Sequence, residues 1–208
     1  MIKIYQTLFS AFGPQNWWPA ETPEEVLFGA ILTQNTSWEN AKNAISALKS
    51  AGKLNFEAIC QMNVDELALL VKPARFLNQK AKALKRFAEY FRDNYNFSIE
   101  KMGRVNHWSM RKELLNLYRV GPETADSILL YALEKPVFVI DAYTKRIFSR
   151  HGFVKKEDSY DIIQKLFMVN LPNDVKLYNE FHALIVRTGY LFCKPKPACD
   201  QCPLLKKL

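Results

Sequence analysis

The chain has 208 residues, and its 29 lysine and arginine residues exceed its 21 acidic residues, which gives a net charge of +8. Such a basic composition is typical of proteins that bind a polyanion, although a solvated basic surface would produce it equally well. The N-terminal residues lack the apolar segment of a signal peptide, and no apolar run is long enough to span a membrane. We therefore expect a cytoplasmic protein of one domain or two small ones, without a membrane anchor.

Apolar residues recur at the period of an α-helix along most of the chain, and glycine, with 7 residues, is scarce. The first helix is predicted to end at Gly13, and Thr22 suits an N-cap because Pro23 and two acidic residues follow it. A loop is predicted near 96–107, and the apolar run at 137–140 is short enough to be a buried connector. Later helices are predicted at 38–51, 55–62, 64–71, 78–95, 142–151, 158–169 and 174–191.

The predicted helix at 78–95 has a basic face. Its apolar positions alternate with four residues that are expected to be exposed: Lys80, Lys82, Lys85 and Arg86. Such a row could face DNA phosphates, but a solvated helix face explains it equally well. The pattern alone therefore predicts exposure and not a binding surface.

Residues 110–146 are the stretch on which our interpretation depends. They read as a helix, a tight turn at Val120-Gly121, a second helix and an apolar run that ends at Asp141. Gly121 is expected to adopt a backbone shape that side chains forbid, and Pro122 suits the start of the second helix. The free N–H groups at such a helix start can hold a phosphate, although plain helical packing is the ordinary explanation of a turn and a helix.

The segments LYRVGPETADSILLYAL and VIDAYTKR resemble the helix-hairpin-helix, Gly/Pro-rich loop and catalytic aspartate of the endonuclease III superfamily of DNA glycosylases. The pattern is closest to endonuclease III relatives that resemble 3-methyladenine DNA glycosylase. The resemblance covers nearly the whole chain and implies an all-α fold of two helical lobes. One lobe is 20–133 with the hairpin, and the other is 1–19 plus 134–208 with a cysteine loop. In that layout, Asp141 would lie on one wall of the cleft between the lobes.

The resemblance assigns catalysis to Asp141, although capping the following helix is the usual role of an aspartate in that place. A carboxylate beside the glycosidic bond can stabilise the positive charge on the sugar and orient the attacking water. Bifunctional members have a lysine two residues after the hairpin glycine, where this chain has Glu123, and a carboxylate cannot form a Schiff base. We expect a monofunctional glycosylase of base excision repair, unless a lysine such as Lys145 substitutes.

The expected partner is double-stranded DNA with a damaged base, bound by a monomer. The resemblance assigns four residues to the pocket for the extruded base: Trp17, Trp18, Pro19 and Trp38. For Trp18 we prefer a place in the core, while Trp17 would offer its ring to the base. Five further residues are assigned to DNA contacts: Gln34, Phe76, Arg119, Gly121 and Thr124.

Two of these DNA contacts would occupy the duplex itself. Gln34 would fill the space left by the nucleotide, and Phe76 would enter the stack as a wedge between Arg75 and Lys80. Arg119 departs from the family pattern, which usually has a glycine at this position of the hairpin, and its side chain could add a phosphate contact.

The aromatic pocket predicts the substrate class. Tryptophan rings favour a cationic base such as an N-alkylated purine, and such a base is also a good leaving group. We therefore expect 3-methyladenine or a similar lesion. The alternatives are a mismatch or oxidised-pyrimidine glycosylase with AP-lyase activity, and a non-catalytic module that recognises distorted DNA by its shape.

Three of the four cysteines cluster near the C-terminus with metal-ligand spacing, at Cys193, Cys199 and Cys202, whereas Cys60 lies in a helical pattern. The corresponding loop of the superfamily holds a [4Fe-4S] cluster through four cysteines. Leu208 stands where the fourth is expected. We expect an iron–sulfur cluster, with zinc or a loop that has lost its metal as the alternatives.

Overall fold

The computed structural model describes residues 1–205 and divides into two compact units. The central unit is Ala20–Glu134, and the terminal unit joins Met1–Pro19 to the residues from Lys135 onward. Residues 1–205 contain many helices and no β-strand, so the prediction of an all-α fold is confirmed. Within this range, no helix combines the length and hydrophobicity needed to cross a bilayer.

The central unit is built around aromatic side chains from three helices. Phe28 stacks on Phe56 with ring centroids 4.2 Å apart, and Phe91 meets Phe56 edge-on at 5.6 Å. All three side chains are fully buried. The α-helices of this unit are α2 (Pro23–Leu32), α3 (Trp38–Ser50), α4 (Phe56–Gln61), α5 (Val64–Leu70), α6 (Leu77–Tyr95), α7 (Ile99–Gly103), α8 (His107–Leu115) and α9 (Pro122–Ser127).

Most of these helices have a short polar side chain as N-cap, which accepts a hydrogen bond from a free backbone N–H group of the first turn. Thr22 caps α2 through the N–H of Glu25, as its sequence context predicts. The loop predicted at 96–107 is wrong in part, because it contains α7. Ser98 caps this helix by accepting the N–H of Lys101. Five residues are too few to show a helical period in the sequence.

Two lysines of α6 donate hydrogen bonds to carbonyl oxygens at the ends of other helices. Lys80 is only 3% exposed, and its ammonium donates to the carbonyl oxygens of Leu32 (2.6 Å) and Ala74. The Lys85 ammonium donates to three carbonyl oxygens at the end of α4, on Ile59, Cys60 and Met62. The predicted exposed row of basic residues is therefore wrong at Lys80, whose burial lowers its pKa to about 8.

The terminal unit has a second aromatic core around the connector at 137–140. Phe138 stacks on Phe167 at 4.2 Å and meets Phe181 edge-on at 5.8 Å. Gln164 donates a hydrogen bond to the Phe138 carbonyl oxygen at 2.7 Å, which satisfies this extended and buried backbone. The α-helices of this unit are α1 (Ile2–Phe12), α10 (Ala142–Arg150), α11 (Tyr160–Asn170) and α12 (Val175–Leu191).

We predict that Lys80→Met lowers the free energy of unfolding by about 1–3 kcal/mol, because the carbonyl groups of Leu32 and Ala74 lose a buried donor. Methionine keeps the apolar stem of the side chain. Chemical denaturation measures the change, with Lys82→Met on the exposed face of the same helix as the control. Equal stability of the two variants would contradict a structural role for Lys80.

Candidate active site

Asp141 occupies the junction between the buried connector and α10. Its Oδ1 atom accepts two hydrogen bonds from Thr144, one from the backbone N–H and one from the hydroxyl, each 2.7 Å long. The side chain is 11% exposed. The N-terminus of α10 favours a negative charge here, so Asp141 is an N-cap whose carboxylate is held in one orientation. Capping engages Oδ1 and leaves Oδ2 on the other side of the carboxyl group.

A buried histidine faces that second oxygen. The Nε2 atom of His182, on α12, lies 3.8 Å from Asp141 Oδ2. Burial lowers the pKa of His182 and outweighs the opposing effect of the Asp141 charge. The imidazole is therefore neutral near pH 7. The sequence analysis did not identify His182. The one feature that could have indicated it is the position of a titratable residue on the apolar face of a predicted helix.

The two adjacent tryptophans lie in the segment that follows α1. Their ring centroids are 5.3 Å apart and the planes are inclined by 50°. Trp17 and Trp18 are both half-buried, and Pro19 is exposed. Because the two tryptophans are equally buried, their burial does not test the prediction that Trp18 belongs to the core and Trp17 to the base pocket. Trp38 belongs to the central unit, where it is the first residue of α3 and is half-buried.

The hairpin between α8 and α9 differs from the expectation at its glycine. Gly121 has an ordinary extended backbone (φ −93°, ψ 178°), so the predicted special backbone shape at this residue is wrong. Arg119 instead adopts the left-handed conformation, with φ 64°. That is the position where the family pattern has a glycine, and a side chain there costs conformational energy. No atom lies within 4 Å of a Cβ placed on Gly121, so its backbone is open to a close approach.

Side chains from outside the turn hold the hairpin together. The Gln34 amide donates to the Arg119 carbonyl oxygen at 2.8 Å and to the Thr124 hydroxyl at 2.9 Å. The structure thus brings three predicted DNA-contact residues together. Thr124 is buried and its hydroxyl is engaged by Gln34, whereas the Arg119 side chain is exposed.

A buried ion pair joins the two helices of the hairpin. Arg111 of α8 binds both carboxylate oxygens of Asp126 of α9, at 2.7 and 3.2 Å. Asp126 is fully buried. A two-point guanidinium–carboxylate contact fixes the orientation of both groups. The sequence analysis did not identify this pair, because nothing in either helical pattern shows that the two residues meet.

Phe76 projects from a strained turn before α6. Arg75 and Phe76 both have positive φ angles, 62° and 45°. Phe76 is 53% exposed, an unusual state for a large aromatic side chain. The prediction that positive charges flank Phe76 on both sides is wrong at Lys80, which is buried, so only Arg75 supplies such a charge.

The three C-terminal cysteines line one cavity of about 110 Å³, together with Arg150 and His151 of the α10 end. Arg150 Nη1 lies 3.2 Å from Cys193 Sγ and also donates to the Lys194 carbonyl oxygen at 2.7 Å. Burial and the neighbouring cysteines raise the pKa of the Cys202 thiol. Within residues 1–205, no three His, Cys, Asp or Glu side chains are arranged to hold a metal ion. Leu208, the position expected for a fourth ligand, lies outside the described residues.

Comparison with known proteins identifies the family. The model of the HhH-GPD superfamily of base excision DNA repair proteins matches residues 28–173, which is more than half of the chain. The candidate DNA repair glycosylase MJ1434 of Methanocaldococcus jannaschii is 48% identical over 204 residues, which cover 97% of this chain and 92% of that protein.

Two further relatives agree with this family. Endonuclease III of Sulfolobus acidocaldarius is 28% identical over 85% of this chain and 77% of its own length. The H. pylori 3-methyladenine DNA glycosylase MagIII, solved with bound 1,N6-ethenoadenine, is 31% identical, with a TM-score of 0.77 over 90% of this chain and 96% of its own. The chain therefore belongs to the HhH-GPD superfamily of base excision DNA repair proteins, and it is a DNA glycosylase.

Proposed function

We propose that the protein is a monofunctional glycosylase that releases an alkylated purine, such as 3-methyladenine, from double-stranded DNA. The observation that carries the proposal is Asp141, whose side chain is oriented by two hydrogen bonds from Thr144 and lies 3.8 Å from the buried His182 imidazole. The similarity to MagIII, a 3-methyladenine glycosylase solved with a modified adenine, supports the substrate class.

Asp141 would act on the sugar of the extruded nucleotide. As the N-glycosidic bond breaks, its electron pair leaves with the base and positive charge develops on the sugar. The carboxylate stabilises this charge and orients a water molecule, whose oxygen bonds to the anomeric carbon while the carboxylate accepts its proton. A base that is already cationic departs as a neutral molecule. The reaction therefore requires one carboxylate and no separate acid.

The remaining predicted residues would bind the base and the DNA. Stacking on a ring such as Trp17 or Trp38 contributes about 1–3 kcal/mol per base, and cation–π attraction favours the alkylated form. The exposed Phe76 ring suits a wedge that unstacks base pairs. At the hairpin, the open backbone of Gly121 and the exposed Arg119 side chain suit contacts to phosphates. Gln34 would leave the hairpin to fill the vacated space in the duplex.

The cysteine loop is proposed to hold a [4Fe-4S] cluster through Cys193, Cys199 and Cys202. The three cysteines line one cavity, and thiolates are the usual ligands of iron–sulfur clusters. Their side chains would have to converge to bind a cluster, because within residues 1–205 they form no three-ligand group. The fourth ligand would be a non-protein one, since Leu208 stands where the fourth cysteine is expected. When bound, the cluster would stabilise the loop and present Lys194 and Lys196 to the DNA backbone. Zinc and a loop without metal remain the alternatives.

We predict that Asp141→Asn lowers the single-turnover rate of 3-methyladenine release at least about 10²- to 10³-fold, because the charge that stabilises the sugar is lost. Asparagine is an equally good N-cap, so thermal stability and DNA affinity are expected to stay near those of the unsubstituted protein. The matched control is Asp174→Asn, since Asp174 caps α12 through the Leu177 N–H at 2.7 Å in the same way.

Two outcomes would contradict this assignment. Full activity of Asp141→Asn would show that the Asp141 carboxylate has no catalytic role. Release of a mismatched thymine or an oxidised pyrimidine instead of an alkylated purine, in a panel of lesion-bearing duplexes, would replace the proposed substrate. Release of no base from any duplex of the panel would favour the non-catalytic binding module.

Sodium borohydride is expected to trap no covalent adduct between the protein and abasic-site DNA, since Glu123 cannot form a Schiff base. The alternative nucleophile, Lys145, donates its ammonium to the Asp158 carbonyl oxygen at 2.8 Å. Glu123→Lys is expected to gain an adduct visible by gel electrophoresis. An adduct of the unsubstituted protein that disappears in Lys145→Met would show that the protein is bifunctional.

The metal content of the purified protein tests the cysteine loop. We predict bound iron and a broad absorbance at about 400 nm, both lost in Cys199→Ser because one of the proposed ligands is removed. Cys60→Ser is the control, since Cys60 lies in α4 of the central unit. Zinc without iron, or no metal at all, in protein prepared without oxygen would contradict the cluster.

A further inference from the structure

The segment that carries Trp17 and Trp18 has no regular secondary structure between the end of α1 and Pro19. Gly13 ends α1 with a positive φ of 67°, and the chain then turns away from the helix. Backbone hydrogen bonds of a helix or sheet therefore cannot position the tryptophans. Their placement depends on the side chains that hold this segment.

Gln15 provides that anchor through both its backbone and its side chain. Its backbone N–H donates to Glu180 Oε1 at 2.7 Å, and its side-chain oxygen accepts from Arg187 Nη1 at 2.9 Å. Its amide nitrogen donates to the Gly13 carbonyl oxygen at 2.8 Å, which closes the turn. The Arg187 guanidinium also lies over the Phe12 ring, 5.1 Å from its centroid. The contacts with Glu180 and Arg187 cross more than 160 positions of sequence.

The partners of Gln15 belong to a helix that also faces the candidate catalytic acid. Glu180 and Arg187 both lie on α12, and His182 of the same helix contacts Asp141. The helix is well anchored, since Phe181 and Leu184 are fully buried. One rigid element thus contacts both the tryptophan segment and Asp141. All of these residues belong to the terminal unit.

We propose that Glu180, Gln15 and Arg187 form a positioning clamp that fixes Trp17 and Trp18 relative to Asp141 and thereby sets which bases the enzyme accepts. The inference rests on the proposed role of the tryptophans as the base pocket. A pocket that holds a base against a reacting bond must be accurate to about 0.5 Å, and a shift of about 1 Å can cost on the order of 10²-fold in rate. The clamp supplies this accuracy through hydrogen bonds of fixed geometry.

The test compares the release of 3-methyladenine with the release of 1,N6-ethenoadenine, a larger base. The ratio of the two rates is independent of the fraction of active enzyme, so a general loss of stability does not change it. Glu180→Ala is expected to change this ratio at least about 10-fold, because the Gln15 N–H loses its acceptor. Glu180→Gln is expected to keep the ratio, since its amide oxygen still accepts that hydrogen bond. Glu157→Ala, at an exposed position of the same unit, is the control.

Arg187→Met tests the second contact and keeps an apolar side chain against Phe12. Arg187 is exposed, so this variant is expected to fold, and its ratio should move in the same direction as that of Glu180→Ala. An unchanged ratio in both folded variants would overturn the clamp.

Tryptophan fluorescence separates a failure of the clamp from a failure of the proposed function. Replacement of Trp38 and Trp108 by phenylalanine leaves Trp17 and Trp18 as the only tryptophans, whose emission is excited selectively over that of tyrosine. In this background, acrylamide quenching without DNA is expected to increase in Glu180→Ala and Arg187→Met but not in Glu180→Gln. Unchanged quenching in Glu180→Ala and Arg187→Met would exclude the clamp, whether or not these variants release either base. Increased quenching in this background, together with release of neither base by the protein that keeps Trp38 and Trp108, would retain the clamp and reject the proposed substrate.

Discussion

The two hydrogen bonds from Thr144 to Asp141 are the constraint on which the candidate active site depends. They use one carboxylate oxygen to begin α10, and the fixed geometry of that helix start determines where the other oxygen points. The carboxylate therefore needs no reorganisation when charge develops on a substrate. Burial of His182 adds the second condition, since a cationic imidazole 3.8 Å away would offset the negative charge that the proposed mechanism directs at the sugar. Structural capping and the proposed catalytic role are compatible because they would use different oxygens of one group.

The hairpin shows how the fold accommodates a departure from the family pattern. Arg119 occupies a left-handed position that favours glycine, at a cost on the order of 1–2 kcal/mol. Gln34 binds the Arg119 carbonyl oxygen and the Thr124 hydroxyl, and the buried Arg111–Asp126 pair joins the helices on either side. These contacts hold the turn in one conformation. They also make Gln34 part of the resting hairpin, so its proposed entry into DNA requires these two hydrogen bonds to break.

The net charge of +8 overestimates the positive charge at the surface, because some basic side chains are engaged inside the protein. Lys80 and Lys85 bind carbonyl groups at the ends of helices inside the central unit. Arg146, which is half-buried, likewise binds the cysteine loop by donating to the Cys193 carbonyl oxygen at 2.6 Å. Helix ends present unpaired carbonyl oxygens, and a buried cation is a strong donor for them. Net charge is therefore a guide to a polyanionic partner but does not locate its binding surface.

The sequence by itself determined the all-α fold, because helical periods and N-caps such as Thr22 are properties of neighbouring residues. It also placed Asp141 after the hairpin and an apolar run, since that motif is contiguous. It could not show His182 beside Asp141, the burial of Lys80 or the Glu180–Gln15–Arg187 clamp. These depend on contacts between residues that are distant along the chain, and only the packing of complete helices brings such residues together. The left-handed backbone at Arg119 was hidden for a related reason, because contacts from Gln34, far along the chain, stabilise that turn.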